Sequence, residues 1–173
     1  MKLFNSLTNN YFDFAQFKKS SEPINWYCCG PTIYNDSHLG HARTYIIFDS
    51  MVKFLRSQGY NIVYRMNITD IDDKIINKVN KLYQSMLEIK EHTDVYDFDK
   101  FNLFKQFIQK QESSFWEDLE KLNVEKPNKI LRVTDVIPDI INFIHQLISD
   151  GFAYVGKSNE PNKSIYFNSC QIF

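Results

Sequence analysis

A run of apolar and aromatic residues from Ile24 to Cys29 ends in Gly30-Pro31-Thr32, and a polar segment, Asn35-Asp36-Ser37-His38-Leu39-Gly40-His41, follows it. Apolar positions then recur at Tyr45, Phe48, Val52 and Leu55, with Ala42 and Ile46 beside them. Intervals of three and four residues belong to one face of a helix, and Gly59 marks its stop. The next run, Asn61-Ile62-Val63-Tyr64-Arg65-Met66, reads as a second strand. Strand, loop, helix, strand is a βαβ unit, and its strands run parallel because the helix carries the chain back across the sheet. The fold class that follows is α/β.

The rest of the chain continues the helical periodicity. A helix is expected from Asp72 to about Leu87, with Ile75, Ile76, Val79 and Leu82 on one face. A second is expected from about Phe98 to Leu122, striped by Phe101, Phe104, Phe107, Ile108, Phe115 and Leu119, with Glu91 to Asp97 as a loop before it. A third runs from about Asp135 to Ser149, burying Ile137, Ile140, Ile141, Ile144 and Ile148, and Gly151 caps it. Phe152-Ala153-Tyr154-Val155 and Ser164-Ile165-Tyr166-Phe167 then form a hairpin across a turn at Gly156 to Lys163. With 43% hydrophobic and 24% charged residues in 173, the chain has the make-up of a packed protein and not of a disordered one. No run of about 18 apolar residues suggests a membrane span. Met1-Lys2-Leu3-Phe4-Asn5-Ser6 lacks the apolar core of a signal peptide, so a cytoplasmic location is expected. Lys+Arg 20 nearly cancel Asp+Glu 21, so overall charge supplies no attraction to nucleic acid. Lys18-Lys19 and the group Lys121, Lys126, Lys129 read as solvated surface.

Chemistry concentrates after the first strand of the βαβ unit. In an open parallel sheet, ligands bind at the carboxyl ends of strands, where helix N-termini present free N–H groups. His38 and His41, at the opening of a helix, are placed to donate to phosphate oxygens as charge develops in phosphoryl or nucleotidyl transfer. Gly40 between them lacks the side chain that would keep a flat base off the backbone. The same pair is compatible with metal ligation or with a polar loop of no special role. Neighbouring strand residues face opposite sides, so Cys28 and Cys29 do not readily share one metal. Either one alone reads as a small buried hydrophobe, and Cys29, at the strand's C-terminal end beside Gly30, is the better functional candidate. Three cysteines, two of them adjacent, make no disulfide framework. Asp70 or Asp72 reads as a helix N-cap, with Mg²⁺ binding as the alternative, and Thr69 borders the pocket that holds Cys29.

Together these segments resemble the cysteinyl-tRNA synthetases, a family of class I aminoacyl-tRNA synthetases. The resemblance rests on Leu3-Phe4-Asn5-Ser6-Leu7-Thr8, Tyr27-Cys28-Cys29-Gly30-Pro31-Thr32-Ile33-Tyr34, His38-Leu39-Gly40-His41-Ala42-Arg43-Thr44-Tyr45 and Asn67-Ile68-Thr69-Asp70-Ile71-Asp72-Asp73-Lys74. Gly151-Phe152-Ala153-Tyr154-Val155 and Ile165-Tyr166-Phe167 are similar to the family's following segment. The resemblance implies a Rossmann-like parallel sheet and an ATP-dependent reaction with Mg²⁺. L-cysteine would be activated to cysteinyl-adenylate and then passed to tRNA(Cys). His38 and His41 would be catalytic and, with Gly40, bind ATP; Gly30, Thr32 and Thr69 would bind the amino acid. Cys29 would be the first ligand of a zinc ion that recognises the substrate sulfur.

In the family, the other zinc ligands, a second ATP-phosphate loop and the anticodon-binding helices lie in later segments. The 173 residues are therefore expected to be an N-terminal portion: residues 1–125 the first half of the catalytic domain, and residues 126–173 the start of a connective insertion. Alone, such a piece would neither form adenylate nor hold zinc tightly. The stretch Tyr83 to Asp99 is longer than the family pattern and receives no role. Two other readings share the same motifs, a related cysteine–sugar ligase and a non-catalytic nucleotide-binding fragment.

Overall fold

The computed structural model describes residues 2–19, 22–90, 99–156 and 164–171, in two compact units, Met1–Val133 and Thr134–Phe173. The expected loop at Glu91 to Asp97 and most of the turn at Gly156 to Lys163 lie outside the described residues.

The first unit opens with a hairpin absent from the sequence reading, β1 (Lys2–Asn5) and β2 (Asn10–Asp13). Its turn is held by the Asn5 side chain, whose Oδ1 accepts from the N–H groups of Leu7 and Thr8, while Asn9 takes a left-handed φ of 52°. The βαβ unit follows as expected: β3 (Ile24–Cys28), α1 (Leu39–Ser57) and β4 (Ile62–Ile68). β3 and β4 pair in parallel, Ile24 opposite Ile62 and Cys28 opposite Met66. α1 ends at Gln58, and Gly59 then turns the chain at φ 83°, a conformation that suits a residue without Cβ. Next come α2 (Asp73–Lys90) and α3 (Lys100–Lys121), close to the expected helices.

The strand β5 (Lys129–Arg132) completes a parallel sheet of order β3-β4-β5. Its approach is fixed by Asn128, whose Oδ1 accepts from the Tyr64 N–H at 2.8 Å and from Arg56 at 2.7 Å. The boundary expected after residue 125 thus falls ahead of a strand that belongs to the first unit's sheet. Ile62, Tyr64, Met66 and Ile68 alternate into the core, joined there by Tyr45, Val52 and Leu55 of α1 and by Phe107, Phe115 and Leu119 of α3. Among the described side chains of α2 only Ile75 and Val79 are buried; Ile76, Leu82 and, at the start of α3, Phe101 are exposed, contrary to the expected stripes. Ile76 and Phe101 instead line an open cavity that Val79 and Phe104 also border.

A 3-10 turn, Val133–Val136, leads into the second unit and α4 (Ile137–Ser149), whose first turn contains Pro138 with its φ already helical. Gly151, at φ 80°, closes the helix. β6 (Ala153–Val155) and β7 (Ile165–Phe167) pair antiparallel as the expected hairpin. One expectation fails here: α4 has no buried residue, and Ile137, Ile140 and Ile141 are exposed. A helix resting on a three-residue strand has too little surface against it to cover a whole apolar stripe.

Candidate active site

The site is built where β3 and β4 end. Beyond the last paired residues, Thr69 N–H donates to Pro31 O at 3.0 Å and Ile33 N–H to Thr69 O at 3.2 Å, so Thr32 and Thr69 lie side by side in a parallel bridge. Gly30 is the reason the two segments approach so closely. A Cβ at this position would lie 1.7 Å from the backbone oxygen of Asn67. Its N–H is already used, donating to Asn67 Oδ1 at 3.0 Å. Cys28 is buried, and burial pushes its thiol pKa up despite the opposing hydrogen bond with Tyr64. Cys29 is exposed, as the alternation along the strand requires, and its carbonyl accepts from the buried Tyr45 hydroxyl at 3.4 Å.

α1 begins at the two histidines. His38 is the N-cap: its Nδ1 accepts from the Gly40 N–H at 3.0 Å. His41, three residues on, returns the arrangement, its Nδ1 accepting from the His38 N–H at 3.4 Å. This is a capping box made of imidazoles, and the rings stack at 4.0 Å between centroids and 14° between planes. Because each Nδ1 supplies a lone pair, each neutral ring carries its proton on Nε2. Gly40 permits this too, since a Cβ there would stand 2.8 Å from His38 Cε1. Its vacant side-chain space is filled by the His38 ring.

The pair lines a cavity of about 270 Å³ together with Thr32, Tyr34, Asn35 and Asp36. Lys78 of α2 donates to Asn35 Oδ1, and the Lys74 ammonium sits 5.2 Å from the Tyr34 ring centre, so α2 braces the far wall. Asp72 caps α2, its Oδ1 accepting from Lys74 N–H at 2.7 Å and its carbonyl from Ile76 N–H. Asp70 is buried.

Burial, and secondarily its neighbour His38, lower the His41 pKa. A lowered histidine pKa means the unfolded chain binds the proton more readily than the folded one. The His41 contribution to stability is therefore complete above its ordinary value of about 6.5 and is lost as pH falls through that value towards the folded one. Thermal melts from pH 8 to 5 are expected to show Tm falling below about pH 6.5, with a smaller slope in His41→Gln. An equal slope in both proteins would remove His41 as the cause.

Comparison with known proteins decides what chain this site belongs to. Residues 16–172 match the family described as the class I (C) tRNA synthetase catalytic domain. The chain belongs to the class I (C) tRNA synthetase family. It is 41% identical over 168 residues to the cytoplasmic cysteine–tRNA ligase of Dictyostelium discoideum, covering 95% of this chain and 22% of that one. The cysteine–tRNA ligases of Encephalitozoon cuniculi and Thermoplasma volcanium are 37% and 35% identical, over 97% and 96% of this chain and 30% and 31% of theirs. The chain thus spans less than a third of the length of these curated relatives. Among solved structures it is similar to the agnB2 LeuRS of Agrobacterium radiobacter K84, in its ternary complex with tRNA and LeuAMS. The TM-score is 0.56 at 18% identity, over 80% of this chain and 16% of that one, a likeness of fold.

A zinc ion, which the resemblance attaches to Cys29, does not find a ligand set here. Among the described residues no group of three or more His, Cys, Asp or Glu side chains could hold a metal, and one thiolate falls short of the three or four protein ligands zinc takes. Cys170 is exposed in the other unit, and His92 lies outside the described residues. In this class I (C) synthetase chain, sequence reasoning missed Asn67, Tyr27 and Tyr45 as supports of the site. The available signal was Asn67 itself, a polar residue at the end of an apolar strand. No helix of the described residues is long and apolar enough to cross a membrane.

Proposed function

We propose that this chain supplies the ATP-facing and amino-acid-facing walls of a site that activates L-cysteine for transfer to tRNA(Cys). In that reaction the cysteine carboxylate attacks the α-phosphorus of ATP, with Mg²⁺ on the phosphates. The bond from the α-phosphorus to the bridging oxygen breaks, leaving cysteinyl-adenylate and pyrophosphate. The carbonyl then passes to a hydroxyl at the tRNA 3′ end, releasing AMP. On this reading the first unit is the N-terminal half of a Rossmann-like catalytic domain and the second the start of a connective insertion.

The observation that carries the proposal is the stacked His38–His41 pair beside the Thr32–Thr69 bridge at the ends of parallel strands. With both Nδ1 atoms engaged by backbone N–H groups, the two Nε2–H groups are what the rings offer to phosphate oxygens. Their orientation is set before ligand arrives, so charge developing on the phosphoryl oxygens meets donors that need no rearrangement. Gly40 leaves room for the His38 ring to take up its capping position, Thr32 and Thr69 border the amino acid, and the exposed Cys29 thiol follows the end of β3.

The test exploits the cap. Asn at position 38 and Gln at position 41 still make an N-cap and a capping-box partner, but neither offers an imidazole Nε2–H. The double variant His38→Asn/His41→Gln is expected to keep its helix content while losing on the order of 10- to 100-fold in affinity for a non-hydrolysable ATP analogue by calorimetry. Unchanged affinity would overturn the phosphate-binding role.

A further inference from the structure

The residue that joins the two sides of the site is Asn67, the penultimate residue of β4. Its Oδ1 accepts from the Tyr27 hydroxyl at 2.8 Å and from the Gly30 N–H at 3.0 Å. The Gly30 N–H can only donate, which fixes the amide so that Nδ2 faces the other way. Nδ2 donates to Thr69 Oγ1 at 3.4 Å. One side chain thus ties the segment after β3, carrying Cys29 and Gly30, to Thr69 after β4.

The consequence for Thr69 is directional. A hydroxyl that accepts from Asn67 keeps its own proton for another partner. Beside it runs Thr32, the bridge partner on the neighbouring segment. We propose that Asn67 is the positioning residue of the amino-acid side: it holds Thr69 as an outward hydrogen-bond donor and fixes the Cys29–Gly30 backbone at the distance a bound L-cysteine requires. This rests on the reading of Thr69 as a wall of the amino-acid site. Asn67 touches no substrate itself; it acts through Thr69 and Gly30.

The whole 173-residue chain serves for the test, with two probes: cysteinyl-sulfamoyl-adenosine, which fills both halves of the site, and a non-hydrolysable ATP analogue, which fills the nucleotide half. Thr69→Val is expected to weaken the cysteinyl probe about tenfold, Asn67→Ala by at least as much because it also frees Gly30, and the double variant by no more than Asn67→Ala alone. The ATP analogue should bind all three within about twofold of wild type. Amide exchange at Gly30 should quicken in Asn67→Ala and stay slow in Thr69→Val. Multiplicative losses in the double variant, or equal weakening of both probes, would show Asn67 to be only a structural residue and overturn the inference. If Asn67→Ala does not fold, Asn67→Asp carries the test: it keeps the acceptor for Gly30 but turns the Thr69 proton inward, so Gly30 stays protected while the cysteinyl probe weakens. Asn67→Asp with wild-type affinity would likewise overturn the inference. A wild-type chain that binds the ATP analogue but not the cysteinyl probe would instead sink the reading of Thr69, and the inference with it.

Discussion

Gly30→Ala is expected to lower stability by about 3 kcal/mol and Tm by roughly 10 °C. The added methyl would meet the Asn67 backbone oxygen at 1.7 Å and the Met66 Cγ at 2.9 Å. Met66 is a flexible side chain and could shift, but the oxygen belongs to the central strand and has no rotamer to change. Relief requires the ends of β3 and β4 to separate. That motion breaks the Gly30 bond to Asn67 and strains the Thr69 bond to Pro31. The site would therefore open together with the fold, and affinity for the cysteinyl probe should fall further than in Asn67→Ala. Urea unfolding followed by circular dichroism checks the stability, and a midpoint at the wild-type value would mean the strands do not meet as described. Alanine at Gly40 is a milder contrast, because its Cβ meets only the His38 ring, which can swing away at the expense of the cap.

These two glycines show where sequence reasoning reaches and where it ends. Periodicity located β3, α1, β4 and the two helices that follow, because amphipathic spacing is a property of neighbours along the chain. It also placed the histidines at a helix start and put Cys28 and Cys29 on opposite faces, though only the structure shows that Cys28 is the buried one. The functional reading of Gly40 came from the same local logic, yet the structure fills that space with the His38 ring. Gly30 was harder still: what forbids a side chain there is an atom of residue 67, brought close only by parallel pairing. The imidazole capping box escaped notice because histidine is a rare cap, and its chemistry depends on ring orientation. Strands of four residues, such as β1, β2 and β5, are too short to declare a period. α4 fails differently. Its apolar stripe is plain in the sequence, but periodicity says which face is greasy and not whether anything packs against it. Asn67 announced itself only as a polar residue near a strand end, since its hydrogen bonds to residues 27, 30 and 69 join segments that meet only through parallel pairing.

Ile68→Ala is expected to be as damaging as Gly30→Ala, by the opposite route of removing volume. Ile68 is 0% exposed and ends the central strand, paired with Arg132 of β5. Truncating a fully enclosed isoleucine leaves a cavity that the surrounding sheet closes only in part, at a cost of about 2–5 kcal/mol. Leu39, inside the His38–His41 segment, provides the control: it is 85% exposed, and Leu39→Ala should change stability by less than about 0.5 kcal/mol. Both variants remove aliphatic carbons, so intrinsic hydrophobicity cannot account for a difference between them; burial must. In urea, Ile68→Ala should shift the unfolding midpoint downward with an unchanged slope, since the same surface is exposed on unfolding. Ile68 also separates Asn67 from Thr69, whose side chains hydrogen-bond across it on the opposite face. A looser Ile68 lets that pair drift, so affinity for the cysteinyl probe should fall even at temperatures where the variant is folded. If the ATP analogue docks on the first turn of α1, as proposed, its binding should change less. Equal loss of both ligands would mean that packing under the sheet supports the two halves of the site alike, and that the division between a nucleotide side held by α1 and an amino-acid side held by β4 is wrong.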